Sequence, residues 1–308
     1  MYDTVNFWLD RLDIAGGNPF VISNYLSEIT EHQNKKGYGI TGSIFDYTVN
    51  VYEGGISMKG SLPKSVFNDN IHTLTRSATQ QAIEKISDTI HIDFNAAKVT
   101  RVDISTVIPT KRPPTDYYSY LGQKPYFNRL HAAKETLYYN NHKRQLIFYD
   151  KVKEAAAKGV TIPPPLQGCN LLRYELRYTK GIKKQFKTDV TAQTLYDEDF
   201  YYSIVQSWHN EFKTIHKLKG QNIMIDDMTT PKKAIDGMYD YAMAYLLQED
   251  PDFVDRVIND LKASKKFNRS DYSKMKKKVF APVAKNGNKN DMINELETAI
   301  FEAAKYAR

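Results

Sequence analysis

The chain has 308 residues, of which 41% are hydrophobic and 26% charged, the balance of a folded globular protein with room for a sizeable core. A single cysteine, Cys169, excludes a disulfide framework and a thiolate-rich zinc site. No apolar run approaches a membrane span, and the opening, with its early acids, does not read as a signal peptide, so the expectation is a cytoplasmic protein without a membrane partner.

In chain order, "YDTVNFWLDRL" alternates as an opening strand, and "ITGSIFDYTVNVYEGGISMKGSLP" reads as two or three strands with a turn at Gly54 and Gly55. Residues 65–91 carry helical spacing through Ile71, Leu74, Ala78, Ile83 and Ile86. "KVTRVDISTVI" alternates cleanly as a strand, and "TLYYNNHKRQLIFYDK" reads as a hairpin turning near "NNHKR". "DKVKEAAAKG" is a short helix with Asp150 as N-cap and Gly159 as terminator; "NLLRYELRYTK" is a further strand. Beyond about residue 190 the strand signal stops and three-to-four spacing takes over, in "TLYDEDFYYSIVQSWHNEFKTIHKL", "AIDGMYDYAMAYLLQ", "DFVDRVINDLKAS" and "DMINELETAIFEAAKYA". The chain therefore reads as α+β, with a domain over 1–190 and an all-helical region over 191–308.

Charge is unevenly spread. The net charge is +7, but residues 261–290 alone hold ten Lys or Arg against one acid, Asp271, or +9; "KGIKKQFK" at 180–187 adds four lysines. Such surplus points to a polyanion, most often nucleic acid, against the plainer reading of a solvated basic tail. Lys274, Lys276, Lys277 and Lys278 are the densest part and the expected phosphate-binding group.

Strand alternation sorts the chemically capable residues. In "VTRVDIS" Val102 and Ile104 share one face while Arg101, Asp103 and Ser105 share the other; in "NLLRYELRY" Arg173, Glu175 and Arg177 lie opposite Leu172, Tyr174, Leu176 and Tyr178. Each strand thus carries a carboxylate flanked by arginine, either as salt bridges on a solvated sheet face or as a site. Two carboxylates suit a hard divalent cation, Mg²⁺ or Mn²⁺, which polarises a phosphodiester. On an exposed face, removing either acid should cost little packing energy. Tyr149 stands where a strand gives way to a helix, followed by Asp150 and Lys151. A tyrosine is a poor nucleophile unless a cation such as Lys151 or a metal favours its phenolate, but its attack on phosphate conserves the bond energy for rejoining. Tyr138 and Tyr139 read as packing residues, with a second nucleophile as the alternative. No Gly-rich phosphate loop or HExxH spacing occurs, which argues against an NTPase and a zinc peptidase.

"VTRVDIS", "LIFYDKVKE" and "LLRYELRY", in that order, resemble the blocks of rolling-circle replication initiators. The filamentous-phage initiators and the Rep_trans plasmid initiators are the nearest in pattern. "MYDTVNFWL" and "ISMKGSLPKSV" also look like the phage-type N-terminal region, so the likeness covers about residues 1–190. It implies an HUH-like (RRM-like) antiparallel central sheet with flanking helices that lacks the HUH histidines, and a nicking and joining enzyme. Tyr149 then matches the nucleophile that takes the 5′ phosphate and frees a 3′-OH. Asp103 and Glu175 match the metal-holding acids; Arg101, Arg173 and Arg177 neutralise phosphate or orient those acids, and Lys151 assists the phenolate. Ser57 stands where the relatives carry a further acid, leaving water, Ser57, Asp150 or Glu53 as substitutes. The implied partners are single-stranded and duplex origin DNA and a host helicase, in a bacterial cell, with 191–308 as a basic DNA-binding or accessory region. A relaxase-like mobilisation enzyme and a non-catalytic DNA-binding protein are the alternatives.

Overall fold

The computed structural model describes residues 1–34, 37–133, 135–218, 229–250, 252–285 and 290–307. Among them the strands β1 (Tyr2–Asp10), β2 (Ser27–Asn34), β3 (Gly37–Ile44), β4 (Tyr47–Tyr52), β5 (Gly55–Ser61), β6 (Lys98–Thr110), β7 (Asn128–Ala132), β8 (Thr136–Asn140), β9 (Arg144–Asp150) and β10 (Asn170–Tyr178) make one sheet. Its order is β2-β3-β4-β5-β1-β6-β10-β9-β8-β7, and every neighbouring pair is antiparallel. The helices are α1 (Lys64–Phe67), α2 (Arg76–Ile90), α3 (Pro114–Tyr118), α4 (Lys151–Ala157), α5 (Ile182–Phe186), α6 (Glu198–Lys213), α7 (Pro231–Glu249), α8 (Phe253–Ala263), α9 (Arg269–Lys285) and α10 (Asp291–Tyr306). The fold is α+β, as the alternation and spacing predict.

One face of the sheet is apolar because its strands put alternate side chains there. Val5, Phe7 and Leu9 of β1, Val102 and Ile104 of β6, and Leu172, Tyr174 and Leu176 of β10 are all buried in one core. Tyr174 stacks on Phe148 of β9 at 4.6 Å and on Trp208 of α6 at 4.8 Å. Three helices cover this face with stripes of helical period: Ala82, Ile83, Ile86 and Ile90 of α2; Tyr201, Ile204, Val205, Trp208 and Phe212 of α6; Ile293, Leu296, Ile300 and Ala304 of α10. The passage from strands to helices falls near residue 190, but the core does not divide there, since α6 and α10 belong to it. A second, smaller cluster of Leu218, Leu247, Val254, Ile258, Tyr272 and Phe280 holds α7, α8 and α9 together.

Several local expectations change. The helical pattern over 65–91 does not run through: Asn68 turns left-handed at φ 60° to end α1, Asp69 accepts from the backbone of Ile71 and His72, and Thr75 caps the new start of α2. The strands β2 and β7, which form the two edges, and the helix α9 are additions. The hairpin β8–β9 turns as expected, with Asn141 Oδ1 accepting from Lys143 N at 2.9 Å and Arg144 N at 2.7 Å.

Candidate active site

The opposite face of the sheet carries the candidate chemistry, and register places it. On β10, Arg173 lies across from Tyr149 of β9; Glu175 lies across from Ser105 of β6, and Arg177 across from Asp103. These residues therefore share the face turned away from the core. Tyr149 is the penultimate residue of β9, and α4 starts two residues later, its first turn held by Asp150 Oδ1, which accepts from Val152 N and Lys153 N. The half-buried phenol is thereby presented at the wall of a cleft of about 370 Å³. Thr136, Tyr138, Ile147, Glu154 and Arg177 also line that cleft.

Behind the cleft the charges are buried, which excludes the alternative of salt bridges on a solvated sheet face: Asp103 is 1% exposed, Arg173 2% and Glu175 2%. Tyr149 Oη donates to Glu175 Oε1 at 2.7 Å, and Arg173 Nε donates to the same oxygen at 3.0 Å. Arg177 grips the other oxygen, Oε2, through Nε at 2.9 Å and Nη2 at 2.7 Å, and lies 3.5 Å from Asp103 Oδ2. Arg101 takes both oxygens of Asp103, at 2.9 and 2.5 Å. Arg173 continues inward to Ser105 Oγ at 2.6 Å, to Asp3 Oδ2 at 2.7 Å and to the carbonyl oxygen of Asn70. Three guanidinium groups thus meet three carboxylates, a balance that buried charge requires.

The electrostatics follow from burial against pairing. Burial works against the Glu175 carboxylate, but Arg173, Arg177 and the bond from Tyr149 hold it down at about 2. For Asp103 burial wins and pushes the acid up to about 6, despite Arg101 and Arg177. Burial also raises the Tyr149 phenol far above its ordinary value; Arg173 favours its phenolate and Glu175 opposes it. The cation facing the phenol is therefore Arg173. Lys151 is buried and its ammonium goes elsewhere, to Asn70 Oδ1 at 2.8 Å and Glu154 Oε2 at 2.6 Å. Burial and the neighbouring Arg173 lower its pKa, against the pull of Glu154.

The structure thus brings Tyr149, Glu175, Arg173, Arg177, Asp103 and Arg101 into one network, with Lys151 joined through Asn70. The third carboxylate at the cluster is Asp3. Asp150 caps α4, Glu53 is exposed in the β4–β5 turn, and Ser57 sits opposite Trp8 and Asn50. Simple alternation puts Asp3 in phase with Val5, Phe7 and Leu9, but the pairing of β1 with β6 shifts register between Tyr2 and Val5, and that bulge takes Asp3 out of phase with them. Tyr139 points to the core, donating to the carbonyls of Leu121 and Gly122 at 2.8 Å, which makes it a packing residue; Tyr138 lines the Tyr149 cleft. On α9, Lys274, Lys277 and Lys278 are exposed, while Lys276 pairs with Asp255.

As arranged, Asp103 and Glu175 do not fit a hard divalent cation. Such an ion takes six or more oxygens, whereas here all four carboxylate oxygens are held by guanidinium groups, and Arg177 bridges the two acids where a cation would lie. Among the described residues no three His, Cys, Asp or Glu converge to hold a metal.

The family model for the N-terminal region of the phage replication-associated protein matches residues 1–211, which takes in the whole sheet and most of α6. No curated protein matches the chain. Among the described residues no helix is long and apolar enough to cross a membrane.

Proposed function

The chain belongs to the phage replication-associated protein family defined by that N-terminal region, and from that premise we propose that it starts rolling-circle replication by nicking one strand of origin DNA and later rejoining it. The observation that carries the reading is the Tyr149 phenol, at the wall of an open cleft, hydrogen-bonded to Glu175 and backed by Arg173. A phosphodiester entering the cleft meets Arg177, the guanidinium that lines it. Phosphate then competes with Glu175 for that cation, and a Glu175 less held by Arg177 is a better acceptor for the phenolic proton. Tyr149 Oη attacks phosphorus, its proton passing to Glu175 and the new phenolate charge facing Arg173. The bond to the 3′ oxygen breaks, that oxygen receives the proton from Glu175 through a bridging water, which leaves Glu175 a carboxylate again, and the 5′ phosphate stays on Tyr149. Attack by a 3′-OH on this link reverses the step and rejoins the strand.

Arg101 holds Asp103 in place, and Lys151 fixes Asn70, whose carbonyl in turn holds Arg173; both act by positioning. For Mg²⁺ or Mn²⁺ to bind Asp103 and Glu175, Arg177 would have to leave both acids and Arg101 to release an oxygen of Asp103. The exposed lysines of α9 supply duplex contacts through phosphate, and extension of the freed 3′-OH calls on a host helicase in the bacterial cytoplasm.

The test uses labelled single-stranded DNA from the protein's own element, with Mn²⁺, Mg²⁺ or EDTA. The expected product is an SDS-resistant protein–DNA adduct together with a fragment ending in a 3′-OH. DNA binding without adduct under all three conditions would leave a non-catalytic DNA-binding protein instead.

A further inference from the structure

A second cleft, of about 810 Å³, lies between the loop at 123–128 and the helices α8 and α9. Lys124, Lys262, Arg269, Lys276 and Lys277 line it, and among the described residues no acidic one does. Lys124 is paired with Glu211 and Lys276 with Asp255, but Lys262, Arg269 and Lys277 make no ion pair among the described residues. The same walls carry rings: Tyr126, Phe127, His216, Tyr272 and Phe280. Tyr126 is 95% exposed, with its backbone in the left-handed region at φ 66°, where a bulky residue is unusual. Among the described residues its ring meets no other ring and its hydroxyl has no hydrogen bond.

Both walls are fixed. His216 and the loop exchange backbone bonds, from Gly122 N to His216 O and from His216 N to Gln123 O, each 2.8 Å. Asp252, at the N-terminus of α8, accepts from Gln123 Nε2 at 3.3 Å and from Arg129 Nη1 at 3.1 Å. The cleft therefore joins three cations that are without an ion pair among the described residues to a presented ring, on elements that are tied together.

We infer that this cleft binds single-stranded DNA, with phosphates on Lys262, Arg269 and Lys277 and an unpaired base stacked on Tyr126. Stacking on an exposed ring needs a base face that a duplex hides within its own stack, whereas cations alone would serve either form. The location agrees with nicking. Asn128, at the mouth of this cleft, pairs with Asn140 of β8, and Tyr149 pairs with Thr136 of the same strand. The two pairs are separated by roughly 14 Å along β8, at about 3.4 Å per residue. The inference rests on the proposed nicking function for the source of the strand, but its binding test does not.

The experiment measures fluorescence anisotropy of a labelled oligo(dT) 15-mer and of a labelled duplex of random sequence, with the full chain. Tyr126→Ala is expected to weaken oligo(dT) binding on the order of tenfold, the loss of one base stack, and to leave duplex binding unchanged. Tyr126→Trp should retain affinity, and its tryptophan emission should be quenched by the oligonucleotide. The double variant Arg269→Ala/Lys277→Ala should flatten the salt dependence of oligo(dT) binding. Wild-type affinity in both the Tyr126→Ala and the double variant overturns the inference, as does equal weakening on duplex and single strand by Tyr126→Ala. Failure of wild type to bind oligo(dT) while it still forms the origin adduct sinks this inference alone. Oligo(dT) binding that depends on Tyr126, with no adduct on any origin strand, sinks the nicking function and leaves the cleft standing.

Discussion

In the sheet, Arg101, Arg173 and Arg177 meet Asp3, Asp103 and Glu175, and most of their charge is out of water; on α9, Lys274, Lys277 and Lys278 stand in solvent with no acid against them among the described residues. The first set balances itself, so its cations fix geometry: each guanidinium holds a carboxylate or a carbonyl at a set distance. Among the described residues the second has nothing to balance it, and on the proposed function its attraction serves the phosphates of DNA. Cation count alone does not separate the two. Burial does, and it assigns precision to the sheet and long-range affinity to the helix.

The contrast breaks most visibly through stability. Glu175→Ala removes the partner of two guanidinium groups and should cost about 3–5 kcal/mol, the range for a buried ion pair broken on one side. This reverses the sequence-based expectation that either acid could be removed cheaply, because the face that carries them is buried. Denaturant unfolding measures it, and a loss under about 1 kcal/mol, the scale of an exposed pair, would mean that water reaches the network.

A smaller effect is expected from Arg177→Gln, which removes the cation bridging Asp103 and Glu175. Mn²⁺ affinity, read by calorimetry, should rise by on the order of tenfold, or about 1.4 kcal/mol. Unchanged affinity in this variant would place any metal elsewhere.

The pH profile sharpens the same region. Glu175 is held at about 2 against an ordinary 4.5, so its ionised form stabilises the fold above pH 4.5, and that contribution is lost as pH falls toward 2. Asp103 is raised to about 6 against 3.8, so it acts in the opposite sense: its penalty at neutral pH is relieved as pH falls from 6 to 3.8. In metal-free buffer the urea midpoint should rise as pH drops from about 6 and fall below about 4.5, and Asp103→Asn should remove the rise.

On α9 the stability effect should nearly vanish. Neutralising Lys274, Lys277 and Lys278 together should change unfolding by no more than about 0.5 kcal/mol each, as for exposed surface positions. Duplex binding should weaken alike on all sequences, with the log–log salt slope shallower by up to about 0.9 per lost contact. A defect confined to one sequence would mean base reading instead.

What could be read from the sequence was what repeats at the period of its element. The strands β6 and β10 alternate because one face is core, so Asp103, Arg173 and Glu175 fall on the other face as the alternation predicts; β9 buries Leu146, Ile147 and Phe148 in a row, and only its junction with α4 marks Tyr149. That this other face is itself buried left no trace in the alternation, since its occupants are charged. The strands β2 and β7 carry no such signal because both are sheet edges: "SEITEHQN" and "NRLHA" bury little and carry polar groups that guard an open edge. In α9 the lysines mask the apolar positions Tyr272, Met275, Val279 and Phe280, whose three-to-four spacing is the signal that was there to find. Asp3 depends on a bulge and Tyr126 on a left-handed turn, and neither has a period.

The most direct measurement identifies the residue that carries DNA. The adduct formed on origin single strand is digested with nuclease and trypsin, and the modified peptide is sequenced by mass spectrometry. Cleavage after Arg144 and Lys151 isolates Tyr149 in the peptide 145–151, while Tyr138 and Tyr139 lie in the peptide 135–143. A nucleotide on 145–151, with no adduct in Tyr149→Phe although DNA binding persists, is the expected result. A nucleotide on 135–143, or an adduct that survives in Tyr149→Phe, would contradict the assignment of Tyr149 as nucleophile.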